Sequence, residues 1–235
     1  MNNGAVLGVD GCAVGPVKGW IGMHVHRGAI TALYAQSIAE LITLGQSMQP
    51  LAGVGIDMPI GLPDRTRRQA DVLAKQAVGG KRASTVFLTP TRAAVEQPTH
   101  ALASARNKEL AGEGISAMAY ALRARILEVD AVVRSTALPM LEVHPELSFT
   151  AMAGAPLTYS KHSWAGIEER RRLLTAAGLD VTGLDPDVTR HASVDDVVDA
   201  LAVAWTMVRW TSAQAISLPD PPERFSDQLP AAIWA

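Results

Sequence analysis

Four aspartates stand where an apolar run ends or a helix begins. Asp10 closes AVLGVDG (5–11) and Asp57 closes LAGVGIDMP (51–59). Asp196 and Asp199 lie in the opening turns of HASVDDVVDALAVAW (191–205). Short apolar runs bounded by turn residues read as buried strands. Asp196 and Asp199 are three apart, so they share one face of their helix. If the two strands are parallel neighbours, their C-terminal ends meet at the edge where open α/β sheets bind ligands, and four carboxylates converge there. Like charges so placed need a cation or raised pKa values. An all-oxygen acidic set suits magnesium or manganese, and a pair of such ions clamps the attacking and leaving oxygens in phosphodiester hydrolysis. Each acid also has a structural reading. Ser193-x-x-Asp196 is a capping box, and acids favour a helix N-terminus, which accounts for Asp195 as a solvated N-terminal acid. Asp10 before Gly11 and Asp57 near Pro59 suit turns. Asp199 lies beyond the first turn, where aspartate is a poor helix former.

Two further groups carry chemistry. In LEVHPELSF (141–149), strand alternation puts Glu142 and His144 on one face, away from Leu141 and Val143, and Glu146 follows Pro145. These residues suit outer partners of a metal, a further carboxylate arm or a proton shuttle. The alternative is that Glu146 opens a helix and His144 is an edge residue. Between Asp57 and residue 95, Arg65, Arg67, Arg68, Lys75, Lys81, Arg82 and Arg92 fall close together, with hydroxyls at Ser84 and Thr85. A local patch of this kind holds phosphates, and Arg65, Arg68, Lys81, Arg82, Ser84 and Arg92 are the candidate substrate contacts. A solvated helix face gives the same pattern.

These residues must be positioned by the elements around them. VKGWIGMHV (17–25) and AITALYA (29–35) extend the first strand into an antiparallel meander, with His26, Arg27 and Gly28 as a tight turn. SIAELITLG (37–45) reads as a helix with Ser37 and Glu40 as its capping box and Gly45 as its stop. A strand reached from the meander through a helix can lie parallel to the first strand. Residues 60–95 hold a short helix, a Gly-Gly turn and a loop, and 97–114 and 115–136 read as two helices. PMLEVHPE (139–146) is a fifth strand, WAGIEERRRLLTAAGL (164–179) an amphipathic helix, and the last long helix runs from about 195 to 212. The expected fold is α/β: a mixed five-stranded sheet, three antiparallel strands then parallel strands, with helices on both faces. A helical insertion at about 60–136 separates strands four and five. One domain covers 1–218, and Pro219, Pro221, Pro222 and Pro230 mark 219–235 as a surface arm.

Bulk properties narrow the function. The 235 residues are 48% hydrophobic, enough for a sizeable core. A net charge of −2 excludes a global basic field, so nucleic acid would have to be held by a local patch. Cys12 is the single cysteine, which rules out an internal disulfide. The N-terminus lacks the pattern of a signal peptide, and no apolar run approaches the ~18 residues of a membrane span. A cytoplasmic protein with no membrane partner is expected, and a homodimer is left open.

Taken together, GVDG (8–11) with GW (19–20), IDMPIGLP (56–63), GGKRASTVF (79–87), LEVHPELSF (141–149) and DDVVDALAVAW (195–205) resemble a family of predicted ribonuclease-H-like nucleases catalogued as domain of unknown function 429. The resemblance runs from about residue 5 to 210. It implies a ribonuclease H-like fold and a two-metal carboxylate site holding magnesium or manganese. In the Holliday-junction resolvase branch of that superfamily, a first-strand acid, a fourth-strand acid and an Asp-x-x-Asp on the last helix bind the ions. By resemblance those roles fall to Asp10, Asp57, Asp196 and Asp199. The resolvases commonly carry glutamate on the fourth strand, so Asp57 reaches one methylene less far. Glu142, His144 and Glu146 match the narrower family's motif, which assigns them no firm role.

The leading expectation is a metal-dependent nuclease hydrolysing phosphodiester bonds of nucleic acid, with the basic segment on the backbone. A nucleotide-binding phosphotransferase of the same superfold is the second reading; its glycine-rich phosphate loop is not present in this sequence. A non-catalytic binding module that keeps the scaffold is the third.

Overall fold

The computed structural model describes residues 4–14, 17–180 and 182–235; the side chains of Val17 and Lys81 are outside that description. In chain order the described elements are β1 (Ala5–Val14), β2 (Val17–His26), β3 (Ala29–Ala35), α1 (Ile38–Met48), β4 (Leu51–Ile56), α2 (Gln69–Val78), a 3-10 turn (Gly80–Ser84), α3 (Arg92–Val95), α4 (His100–Ala111), α5 (Ala117–Ala121), α6 (Arg123–Ser135), β5 (Met140–Val143), α7 (Pro145–Ala153), α8 (Trp164–Ala176), α9 (Pro186–Thr189), α10 (Val194–Thr211), β6 (Ser217–Arg224) and β7 (Pro230–Trp234). The protein is a mixed α/β fold. β1–β2 and β2–β3 pair antiparallel, while β1–β4 and β4–β5 pair parallel.

Among the described residues the sheet has seven strands, in the order β3-β2-β1-β4-β5-β7-β6, where five were expected. The extra two come from the proline-rich tail, which is paired rather than a loose arm. Proline lacks the N–H of a ladder donor, so it is tolerated on an edge strand or at a strand's first residue. β6, with Pro219, Pro221 and Pro222, is the edge strand, and Pro230 opens β7. Two helix expectations also change. Gly45 does not stop α1, which runs on to Met48. It is instead a buried interior residue, where an added Cβ would lie 3.3 Å from Leu51 Cδ1. The single helix expected over 115–136 is divided at Leu122 into α5, capped by Ser116, and α6.

The chain divides into two compact units: Met1–Asp57, Thr136–Ile216 and Trp234–Ala235 form one, Met58–Ser135 and Ser217–Ile233 the other. In the first unit, alternation along β1 sends Leu7 to one face and Gly8 to the other. Leu7 meets α1 near Gly45. On the opposite face, Gly8 has no side chain, and a Cβ built there would fall 2.2 Å from Ala204 N and 2.4 Å from Ala200 O. Gly55, the partner of Gly8 on β4, likewise lies under Val203 and Met207. Glycines on the sheet and alanines on the helix therefore let α10 lie almost backbone to backbone on β1 and β4. Val198, Leu201, Val203 and Met207 of α10 join Leu141, Val143 and Phe149 in the main core.

The second unit is held by ion pairs as much as by apolar contact. Arg68 and Asp71 are both fully enclosed, 2.5 Å apart. Arg92 reaches Asp130 and Asp227, each at 2.9 Å. Ala94, Ala103, Ile115 and Ala119 form a small core of their own. No helix of the described residues is long and apolar enough to cross a membrane.

Candidate metal centre

The close approach of α10 fixes where its acids go. Four helical residues rise about 6 Å and two strand residues about 6.6 Å. One turn before Ala200 on α10 is Asp196, and two residues past Gly8 on β1 is Asp10. One turn before Val203 is Asp199, and two residues past Gly55 on β4 is Asp57. The glycine contacts thus carry the helix mouth to the C-terminal end of β4 and to the point on β1 where the two strands part. Asp57 N donates to Val9 O at 3.1 Å, which ties the residue just past β4 to β1.

The acids there are poorly compensated. Burial lifts the Asp10 pKa well above the ordinary carboxylate value, and the charges of Asp57, Asp199 and Asp196 add to the rise. Burial raises Asp57 to about 7, with Lys161 opposing and Glu146 adding. Burial raises Asp199 to about 6, again against Lys161, with Asp57 and Glu146 adding. Asp199 is 2% exposed, and among the described residues its Oδ1 accepts no hydrogen bond. Asp196 performs the capping role as well. Its Oδ2 accepts from Ser193 N at 2.9 Å while Ser193 Oγ accepts from Asp196 N.

Glu146 joins the cluster from the first turn of α7, where Pro145 supplies the opening residue. Its Oε1 takes a hydrogen bond from Arg170 Nη2 at 2.5 Å. Arg170 is itself fully buried, and its guanidinium lies 5.2 Å from the Phe149 ring centre. Glu142 does not join. It is opposite Ile56 while Leu141 is opposite Gly55, so the pleat turns Glu142 to the α1 face, away from Asp57. His144 is the N-cap of α7, and its carbonyl accepts from Leu147 N and Ser148 N.

One member had no sequence signal. Lys161 Nζ donates to Asp199 Oδ2 at 2.6 Å and lies 3.8 Å from Asp195 Oδ2. Burial works against its charge, but Asp199, Asp10 and Asp57 outweigh that and hold its pKa above the ordinary lysine value. Lys161 lies in a loop between α7 and α8, where no periodicity announces a role.

The basic segment belongs to the second unit, and its residues differ in use. Arg65 and Ser84 are exposed and Arg82 is half-buried. Arg68 is enclosed and occupied by Asp71 and the carbonyl of Ile60. Arg92 is held by Asp130 and Asp227. Both of these arginines do structural work. The side chain of Lys81 lies outside the described residues.

Among the described residues, no three histidine, cysteine or acidic side chains stand close enough together to form a metal-ligand set as they are. The chemistry of the donors nevertheless suits a hard divalent ion: all are carboxylate oxygens, one is a buried oxygen with no partner among the described residues, and the local charge is under-compensated.

A family model described as "Protein of unknown function (DUF429)" matches residues 8–224. No curated protein and no solved structure matches the chain.

Proposed function

The chain belongs to the DUF429 family, and from that membership and its acid cluster we propose that it is a metal-dependent nuclease that hydrolyses phosphodiester bonds of nucleic acid. The observation that carries the reading is the buried group of Asp10, Asp57 and Asp199 where β4 ends beside β1 and their parallel pairing stops. That is the ligand-binding edge of an open α/β sheet. The ribonuclease H-like superfamily is the finer assignment within the observed α/β fold. What supports it is the order of the first five strands, β3-β2-β1-β4-β5.

In this reading Asp10, Asp57 and Asp199 hold magnesium or manganese. When bound, such an ion supplies Lewis acidity and an acidified water. Asp196 keeps the mouth of α10 in place through its capping box and adds negative charge beside Asp10. Glu146, anchored by Arg170, limits how far that edge relaxes when charge is added. A protein of net charge −2 needs local cations to hold a polyanion.

The test is a panel of single-stranded, duplex and branched RNA and DNA incubated with manganese. Cleavage is expected, stopped by chelator and reduced at least ~100-fold in Asp10→Asn/Asp199→Asn, as loss of charge-stabilising groups predicts. Undiminished cleavage by that double variant, or an intact panel with the ion bound, overturns the proposal.

A further inference from the structure

We propose that Tyr159 and Trp164 form a stacking platform for the bases of single-stranded nucleic acid, which it holds beside the acid cluster. The inference rests on the hydrolytic reading above and names its substrate class: unpaired strands rather than duplex.

The residues come first. The loop between α7 and α8 carries YSKHSW (159–164), in which two aromatic residues flank a lysine and a histidine. Proteins that hold single strands without reading their sequence combine nitrogen-bearing side chains with aromatic faces on which bases stack. Trp164 is 79% exposed and Tyr159 51%. A single exposed apolar residue needs no explanation. These two, however, line one open groove of about 730 Å³ along α8, together with Ala165, Leu173 and Ala176.

The platform is also built in. Thr158 N and Tyr159 N both donate to the carboxylate of Glu169 on α8, and Arg170 Nη1 donates to Tyr159 O. Ser163 closes the turn through its N–H and hydroxyl, both donating to Ser160 O. That same carbonyl presses on α8 at Gly166, where an added Cβ would be only 1.9 Å away. Aromatic side chains on a backbone so held have only two χ angles to lose on binding. Lys161, between the two rings, donates to Asp199 Oδ2 at 2.6 Å. Three residues of chain, at most roughly 11 Å, separate Lys161 from Trp164. A strand whose bases lie in the groove thus runs its backbone past the acids within a few nucleotides.

Charge and shape select the occupant. Burial works against the charge of Asp195, but the Ser193 hydroxyl and Lys161 outweigh it and hold its pKa below the ordinary carboxylate value. Its Oδ2 lies 3.8 Å from Lys161 Nζ and 3.5 Å from His162 Nδ1. Asp196 adds negative charge beside Asp10. The cations of the loop are therefore engaged by acids, and the ring faces are left to carry the contact. A protein partner fits poorly: Glu168, Glu169 and Arg172 border the groove, and a stable interface needs about 1,000 Å². A duplex fits poorly too, because its bases are already stacked on one another, whereas an unpaired base offers an open face.

The experiment is a fluorescence-anisotropy titration with the full chain in chelator, so that no ion enters the readout. The probes are a labelled oligothymidylate of about 16 nucleotides and a hairpin duplex of equal length. The single strand is expected to bind more tightly than the duplex. Trp164→Ala should weaken it at least ~5-fold, the lower bound for losing one stacked base, and Trp164→Phe should retain most of the affinity. The slope of log affinity against log salt should be the same in Trp164→Ala as in wild type, since no phosphate contact is lost. A changed slope, a duplex bound as tightly as the strand, or an affinity unchanged in Trp164→Ala overturns the inference. So does absence of oligonucleotide binding by wild type, and manganese-dependent cleavage would then leave the hydrolytic reading standing. Single-strand binding lost in Trp164→Ala, without any cleavage by wild type, overturns that reading alone. A wild-type dimer that Trp164→Ala dissociates, with no oligonucleotide bound, gives the groove to a second copy of the chain and overturns the inference. Should Trp164→Ala fail to fold by circular dichroism, Tyr159→Ala carries the same test.

Discussion

Asp57 and Asp199 make the metal-free protein sensitive to pH in a defined direction. Burial raises their pKa values from the ordinary 3.8 to about 7 and about 6. Between those limits the unfolded chain has released protons that the folded chain keeps, so stability falls as pH rises. The contribution is complete below about pH 4 and is lost as pH passes through about 7. Asp64, Asp130 and Asp195 have lowered values, so their opposite effect is confined to pH below the ordinary 3.8; His24, lowered from 6.5 by burial, opposes the decline below about 6.5, and Asp10, raised well above 3.8, adds to it. Melting temperatures measured in chelator from about pH 4.5 to 8 should decline and then level. Asp57→Asn should flatten the decline, and so should manganese. A melting temperature that climbs over the same range would contradict the burial argument.

The element that positions these residues is α10, and its seat is Gly8. A methyl group there would meet helix backbone at 2.2 Å, and backbone cannot swing aside as a side-chain tip does. Gly8→Ala is expected to cost about 1–3 kcal/mol or more by overpacking, read from urea denaturation, and to weaken manganese binding as α10 lifts from the sheet. Much of this element's part was legible in the sequence. An apolar run ending in aspartate placed Asp57 at the end of β4, and Ser193-x-x-Asp196 placed the start of the helix; Asp10 was expected at a strand end too, but β1 runs on to Val14 in its pairing with β2. The contribution of Lys161 was not legible. It depends on Gly166 and Glu169, which meet the 158–163 loop only once α8 has folded. Glu142 was misleading for a related reason. Alternation within one strand tells which residues share a face, but only the register with β4 tells which face that is. The tail escaped because prolines mark both loose arms and edge strands, and pairing decides between the two.

At the scale of the molecule, stability is carried differently in the two units. The second unit depends on Arg68, whose loss would leave Asp71 charged and enclosed. Arg68→Met should cost about 3–5 kcal/mol, the usual penalty for breaking a buried pair from one side. Hydrogen exchange should then accelerate first in residues 58–135 and 217–233. Uniform acceleration across both units would show that they open together. In the first unit the cluster joins elements far apart in the sequence, since Asp10 lies on β1 and Asp199 on α10. That placement sets a clock during translation. The meander, α1 and β4 leave the ribosome first and set Asp10 beside Asp57. Lys161 and α10 follow on the order of ten seconds later, at ordinary rates of chain growth. An unfinished chain therefore displays an acid pair without the lysine or the helix that completes the centre. Any hydrolytic capacity appears only after α10 has been made.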